Sequence, residues 1–230
     1  MPPLAVLYDI HGNLPALEAV LADVSAAGAE RFMLGGDYAL FGPFPDQTVA
    51  KLRGLDAVGR IRGNVDRWSA HPEQAPDDQL IREAITACRA ALGEDGVASL
   101  DELPEQVVLD ATRFCHASPV SDLRSFMPEP DDDEQELLTG VSEHRLVFGH
   151  THLAFKRTSS AGIELVNPGS VGMPFDGDPR AAYALFHEDG ATEHRRVNYD
   201  HEAVARAMVE RFGDAPWARR SADRLRRARM

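Results

Sequence analysis

Seven polar residues stand where apolar runs stop. Asp9 and His11 close the run that starts LAVLY, Asp37 follows RFMLGG, and Asn64 follows VGRIRG. His116 follows TRFC, and His150 and His152 follow RLVFG. Two carboxylates, four imidazoles and one amide oxygen form a mixed nitrogen and oxygen donor set. Such a set suits Mn, Fe, Co, Ni or Zn and argues against Ca and Mg, which take oxygen shells. Seven donors are too many for one tetrahedral zinc, and the lack of thiolates argues against a structural zinc site. Two divalent ions sharing one carboxylate would use all seven. With two carboxylates and a bridging hydroxide, such a pair keeps a net charge of about +1, which makes an anion site. A lone buried His or Asp is more often a satisfied core residue than a ligand. Seven at coincident strand ends call for another reason.

Elements must bring these residues together. In open α/β sheets, sites form at the carboxyl ends of parallel strands. Side chains at i and i+2 of a strand face the same way, so Asp9 and His11 are expected to reach one point from a strand over 4–10. A helix follows, with Leu14, Leu17, Val20, Leu21 and Val24 on one face and Gly28 as its stop. A second strand (31–37), a helix near 45–54 and a third strand (58–64) complete a β-α-β-α-β order, which predicts parallel strands. Residues 77–103 read as helical. QVVL and TRFCH read as a hairpin, and PEPDDDEQELL as a helix start, where acidic residues suit the dipole. Five short strands and a helix over 201–212 follow. The arginine-rich ARRSADRLRRARM reads as a solvated helix end. One domain over 1–230 is expected, with a basic C-terminal tail from about 218. It should hold a mixed sheet, or two packed sheets, flanked by helices.

Composition narrows the class. The chain has 230 residues, 43% of them hydrophobic, and no apolar run near the ~20 residues of a membrane span. No signal-peptide pattern opens it. Cys88 and Cys115 lack metal-type spacing, which fits a reducing, cytoplasmic setting. A net charge of −13, from 24 basic and 37 acidic residues, disfavours nucleic acid and anionic membrane as partners. A locally positive site for phosphate remains compatible with it.

The pieces DIHGN, GGD, GNVD, CHAS and GHTH, in this order, resemble the calcineurin-like metallophosphoesterases. GDYALFGP and NPGSVGMP further resemble the small bacterial phosphodiesterase branch. The resemblance covers residues 4 to about 199. It implies a four-layer α/β/β/α sandwich, with two mixed sheets flanked by helices. It also implies two divalent transition-metal ions, manganese first, with Fe, Zn, Ni or Co as alternatives. Carried over by position, Asp9, His11 and His152 would hold one ion. Asn64, His116 and His150 would hold the other, and Asp37 would bridge. The bridging hydroxide would be the nucleophile on a phosphodiester or phosphoanhydride, with Asp37, Asn64 and His116 as the catalytic set. Asn13 could cap the first helix, whose N-terminal amides would then face the phosphate. Asp66 is placed to orient a ligand. Gly35, Gly36, Gly63 and Gly149 would let the backbone crowd the metals. Asn167 and Ser170 lie in a Pro-Gly turn, where a structural role is favoured. His71, His144, His187, His194 and His201 are expected at the surface.

One departure stands out. Many relatives carry a His after Gly-Asn, thought to protonate the leaving oxygen, whereas Val65 occupies that place here. The small phosphodiesterase branch commonly lacks this His too. The expected function is a dinuclear-metal phosphodiesterase with a small phosphorylated substrate, such as a nucleotide. The alternative is a non-catalytic or weakly catalytic protein-binding scaffold on the same fold. Specificity should sit in loops such as 38–46 and 67–78, and a homo-oligomer stays open.

Overall fold

A computed structural model describes residues 2–230. Strand β1 (Leu4–Leu7) is short, apolar and buried. Helix α1 (Leu14–Ala26) begins at Asn13, whose side chain accepts the Ala16 N–H. It buries Ala16, Leu17, Val20 and Val24, which recur at helical spacing. Strand β2 (Arg31–Leu34), helix α2 (Pro45–Arg53) and strand β3 (Ala57–Arg60) follow. Parallel pairing of β1 with β2 and of β2 with β3 bears out the β-α-β-α-β order. Helix α3 (Asn64–Ala70) leads to α4 (Gln79–Asp101), which Asp78 caps and Gly93 interrupts at φ +69°.

Strands β4 (Gln106–Leu109) and β5 (Thr112–Cys115) form the expected hairpin. Asp110 and Ala111 both have positive φ, as its two-residue turn requires. Helix α5 (Glu134–Leu137) is one turn. Strands β6 (Arg145–Val147), β7 (Phe155–Thr158), β8 (Glu164–Asn167), β9 (Ala181–Phe186) and β10 (Thr192–Val197) precede α6 (His201–Phe212) and α7 (Pro216–Arg227).

The strands make two five-stranded mixed sheets, ordered β10-β9-β1-β2-β3 and β4-β5-β6-β8-β7. Their facing sides share one apolar layer, including Val6, Tyr8, Met33, Phe114, Val147 and Val166. The Tyr8 hydroxyl crosses it to donate to the Val147 carbonyl at 3.2 Å. All six residues of β9 are buried. Ala184 and Phe186 enter this layer, while Ala181, Tyr183 and Leu185 pack under the helices. The outer face of the second sheet is covered more thinly, by Phe126, Leu137 and Leu138 of α5 and its flanking loop. No helix among the described residues is long and apolar enough to cross a membrane.

The C-terminal segment differs from the solvated helix end expected of it. Helix α7 buries Trp217, Ala218, Ser221, Ala222 and Leu225 against the α6 side of the molecule. Its arginines lie on the other face and around the edge.

Candidate metal centre

The first sheet supplies Asp9 and His11 after β1, Asp37 after β2, and Asn64 at the start of α3 beyond β3. The second supplies His116 after β5, and His150 and His152 after β6. All seven gather where carboxyl ends of strands from both sheets meet. The means differs from the expected one. Strand β1 stops at Leu7, and Asp9 and His11 lie in the following loop at φ +54° and +49°. Asp37, His150 and His152 also adopt left-handed backbone, at +56°, +66° and +58°. Strand alternation therefore does not aim these side chains; sharp left-handed bends do. Asp and His tolerate that region better than branched residues. Each such residue still costs on the order of 1 kcal/mol or more, which the surrounding structure must hold. Backbone bonds from His11 N to Asp37 O (2.9 Å) and from Gly12 N to Tyr38 O (2.8 Å) clamp the two loops together.

Asp9, His11, Asp37 and His152 each offer a ligand atom, and these atoms lie within 4.8 Å of one another. Asn64 Oδ1 lies 3.0 Å from His116 Nε2 and 2.9 Å from His150 Nδ1. Asp37 stands between the groups. Its Oδ2 is 3.7 Å from His11 Nε2, and its Oδ1 is 3.3 Å from His116 Nε2.

The ring nitrogens reveal what these groups await. His11 Nδ1 donates to the Leu40 carbonyl at 2.9 Å, and His152 Nδ1 donates to the Met173 carbonyl. A carbonyl can only accept, so each neutral ring carries its proton on Nδ1. The two Nε2 lone pairs then face each other across 3.1 Å. His116 repeats the pattern: Nδ1 donates to the Gly35 carbonyl at 2.9 Å, which turns Nε2 toward Asn64 Oδ1. Buried acceptors facing acceptors are unfavourable unless a proton or a cation lies among them. Backbone carbonyls that fix the tautomer and turn the other nitrogen inward are what metal-ligating histidines use. The donor set therefore fits divalent transition-metal ions.

The protonation states agree. Burial lowers His11, His152 and His150, the last to about 4, so these rings are neutral and able to ligate at pH 7. His116 differs. Burial opposes its charge, but Asp37 and Asp9 raise it to about 10, so with no cation present it supplies the compensating positive charge. Burial, with the neighbouring Asp37, drives the Asp9 carboxyl up.

Other expected residues resolve as follows. Asp66 accepts from the backbone N–H groups of Asp37 (2.8 Å), Tyr38 (3.1 Å) and Gly63 (2.9 Å), so it fixes the Asp37 and Asn64 loops through their backbones. Burial and the nearby Asp37 raise it to about 7. A Cβ on Gly63 would sit 2.1 Å from Asp37 Oδ1, and one on Gly149 would sit 2.5 Å from Asp9 Oδ2. At both places only glycine leaves room for the carboxylate. Asn13 is not brought to the cleft. Its oxygen caps α1, and its amide donates to Gly172 O (2.8 Å) and to the Tyr199 hydroxyl (3.1 Å). Asn167 and Ser170 act structurally: Asn167 donates to Gly149 O, and Ser170 donates to Asp9 O at 2.7 Å.

A cleft of about 240 Å³ opens over His11, Asp37, Asn64, His150 and His152. Phe41, Val65, Trp68, Phe175 and Trp217 give it an apolar wall, with Arg220 and Arg224 of α7 at its side. Phe41 comes from the 38–46 loop expected to carry specificity, whereas Trp68, within the expected 67–78 loop, lies in helix α3. Phe175 stacks on His152 with ring centroids 4.3 Å apart and planes 10° apart. The sequence reading missed Phe175, Trp217, Arg220 and Arg224. The spacing of Ala218, Ser221, Ala222 and Leu225, at i, i+3, i+4 and i+7, is the signal that would have folded α7 back onto the protein.

Two stacked mixed sheets, with an Asp/His/Asn cluster where their strand ends meet, define a metallophosphoesterase architecture. The family model of the calcineurin-like phosphoesterase superfamily domain matches residues 3–191, and the chain belongs to that superfamily. It is 29% identical over 231 residues to an uncharacterized protein of Methanocaldococcus jannaschii, covering 90% of this chain and 92% of that one. It is also 29% identical over 199 residues to the phosphodiesterase YfcE of Escherichia coli K12, covering 82% and 89%. A crystal structure of a metallophosphoesterase from Sphaerobacter thermophilus superposes with a TM-score of 0.80 at 25% identity, covering 98% of both chains.

Proposed function

We propose that this chain is a single-domain, metal-dependent phosphodiesterase that uses two divalent ions. Asp9, His11 and His152 hold one, Asn64, His116 and His150 hold the other, and Asp37 serves both. The observation that carries this reading is the pair of Nε2 lone pairs on His11 and His152, which face each other across 3.1 Å because each ring's Nδ1–H is held by a backbone carbonyl. Family membership and the similarity to phosphodiesterase YfcE support the reaction class. Bound at this site, the ions supply Lewis acidity toward phosphate oxygens and lower the pKa of water. The protein supplies the rest. Asp37, Asn64 and His116 fix the reacting phosphate's position through the centre they build, and Asp66 holds the Asp37 and Asn64 loops to each other. The aromatic wall excludes water and accepts an apolar or aromatic group of the substrate, which fits a nucleotide. Val65, buried at the cleft, can give no proton to a leaving oxygen. The substrates served best are therefore those whose leaving group is stable as an anion.

The test is elemental analysis of metal-stripped protein reloaded with Mn, Zn, Co or Ni, beside turnover of bis(p-nitrophenyl) phosphate. Close to two ions per chain and metal-dependent turnover are expected, with manganese the most active. Asp37→Ala should lose both ions and turnover. Full occupancy and activity in that variant would overturn the ligand assignment.

A further inference from the structure

Two arginines of α7 are not used by the centre described above. Arg224 lines the same cleft as His11, Asp37 and Asn64, yet its guanidinium makes no hydrogen bond or ion pair among the described residues. Its Nε is buried with no partner, and its only described aromatic contact is with Phe175, 5.7 Å from the ring centroid. Arg220, one turn earlier on the same face, reaches only Asp78 Oδ2, at 3.9 Å. That carboxylate is already engaged, since its Oδ1 caps α4 through the Leu80 N–H at 2.7 Å. The Trp68 indole Nε1, on the cleft wall, is a second buried donor without an acceptor. A half-buried guanidinium without a partner, as at Arg224, is unfavourable, and a chain with a net charge of −13 has carboxylates enough to pair it. Two surface arginines of the same helix are paired in this way: Arg219 with Asp214, and Arg226 with Glu202. Of the two at the cleft, Arg224 has no such pair among the described residues, and Arg220 has only its long contact to Asp78.

We propose that Arg220 and Arg224 form an anion subsite that binds a second phosphate of the substrate, beside the metal centre that takes the scissile one. The planar guanidinium fork suits phosphate oxygens. The substrate class is then a nucleoside di- or oligophosphate linkage rather than a diester with a single charge. This deepens the proposed function and rests on it. It also agrees with Val65, because a phosphate leaving group needs no proton donor.

Binding separates the two readings. Calorimetry on the metal-loaded protein would use orthophosphate and the methylene-bridged, non-hydrolysable analogues of ADP and ATP. The wild type should bind at least one analogue far more tightly than orthophosphate. Arg224→Gln should cut that preference roughly 10–100-fold, the scale of a lost charge-assisted hydrogen bond. Arg224→Lys should retain part of it, and Arg227→Gln, on the exposed side of α7, should retain it all. In turnover, the ratio of kcat/KM for a dinucleoside polyphosphate to that for bis(p-nitrophenyl) phosphate should fall with Arg224→Gln. Circular dichroism would confirm that the variants are folded. An unchanged preference in folded Arg224→Gln, or an equal loss for orthophosphate and the analogues, would overturn the subsite. Absence of any metal-dependent turnover in the wild type, with the binding preference intact, would overturn the proposed reaction and leave the subsite standing.

Discussion

Asn64 and Val65 are neighbours at the start of α3, and both face the cleft, one as a donor and one as a hydrocarbon. General acid catalysis is typically worth ~10²–10⁴ in rate. Without it at this position, the rate should fall steadily as leaving-group pKa rises. A series of aryl and alkyl phosphodiesters, measured as kcat/KM with chemistry rate-limiting, checks this. A flat plot would show that another residue provides the proton. The histidines divide just as sharply. His116→Ala and His150→Ala should abolish turnover in a folded protein. His187→Ala, which loses only a surface contact to Glu193, and His201→Ala should be nearly neutral in the same assay. The donors were legible in the sequence because the chemistry restricts residue type: a carboxylate or imidazole at the end of an apolar run needs a reason to be there. Trp68 and Phe175 were not, because an apolar residue has the same sequence signature in a core and in a pocket wall.

The elements show where local pattern stops being informative. Periodicity located β1, β2 and β3, but it extended them through Asp9, Asp37 and Asn64. Left-handed backbone at Asp9, His11 and Asp37 leaves no trace in hydrophobic alternation, so the loops that aim the donors looked like strand. Glycine is the exception, because it marks close approach. Gly63→Ala should displace Asp37 and reduce activity at least as far as mutation of a single ligand, with only modest loss of stability. Kinetics beside urea unfolding would show it, and near-wild-type turnover would contradict the packing argument. Helix α1 is tied to β9 and β10 through Asp23. Arg195 donates to it at 2.8 Å and 3.0 Å, and the Tyr183 hydroxyl donates at 2.6 Å. These bonds, Arg195 foremost, hold the Asp23 carboxyl below its ordinary value. A depressed folded pKa gives stability that is full above the unfolded value of ~3.9 and fades as pH falls through the folded one. Asp23→Asn should therefore cost about 1 kcal/mol at pH 7, since the group is partly exposed, and progressively less below pH ~4. Urea titrations at both pH values would reveal a constant difference if the linkage were absent.

At the scale of the whole molecule, the parallel half was legible because each β-α-β step pairs neighbours in sequence. In the second half the β4–β5 hairpin, the short strands and α6 were legible, but the partners of the later strands were not. Strand β9 returns to pair antiparallel with β1, Leu4 opposite Phe186, and no local signal announces a partner so distant in the chain. The assignment of strands to two sheets came from the family resemblance rather than from periodicity. That division has a thermodynamic consequence. Four donors hang from one sheet and three from the other, while the apolar layer between the sheets, bridged by Tyr8, contains none of them. The metal-free protein should therefore stay folded, its core being independent of the centre, yet carry the cost of lone pairs that face one another. Ligands that bind only the native state stabilise it by mass action, by ~2.7 kcal/mol for each site at a hundredfold excess over Kd. For a chain of this length, 1 kcal/mol moves Tm by about 2–4 °C, so two occupied sites should raise it by roughly 10–20 °C. Calorimetric scans of chelator-treated and manganese-loaded protein would measure the rise, and Asp37→Ala should remove most of it. Hydrogen exchange should slow on loading in the loops after β1 and β2 and in those after β5 and β6, because the donors of both sheets are then held to one centre. Protection confined to one sheet, or a Tm unmoved by ions that elemental analysis finds bound, would place those ions elsewhere on the protein.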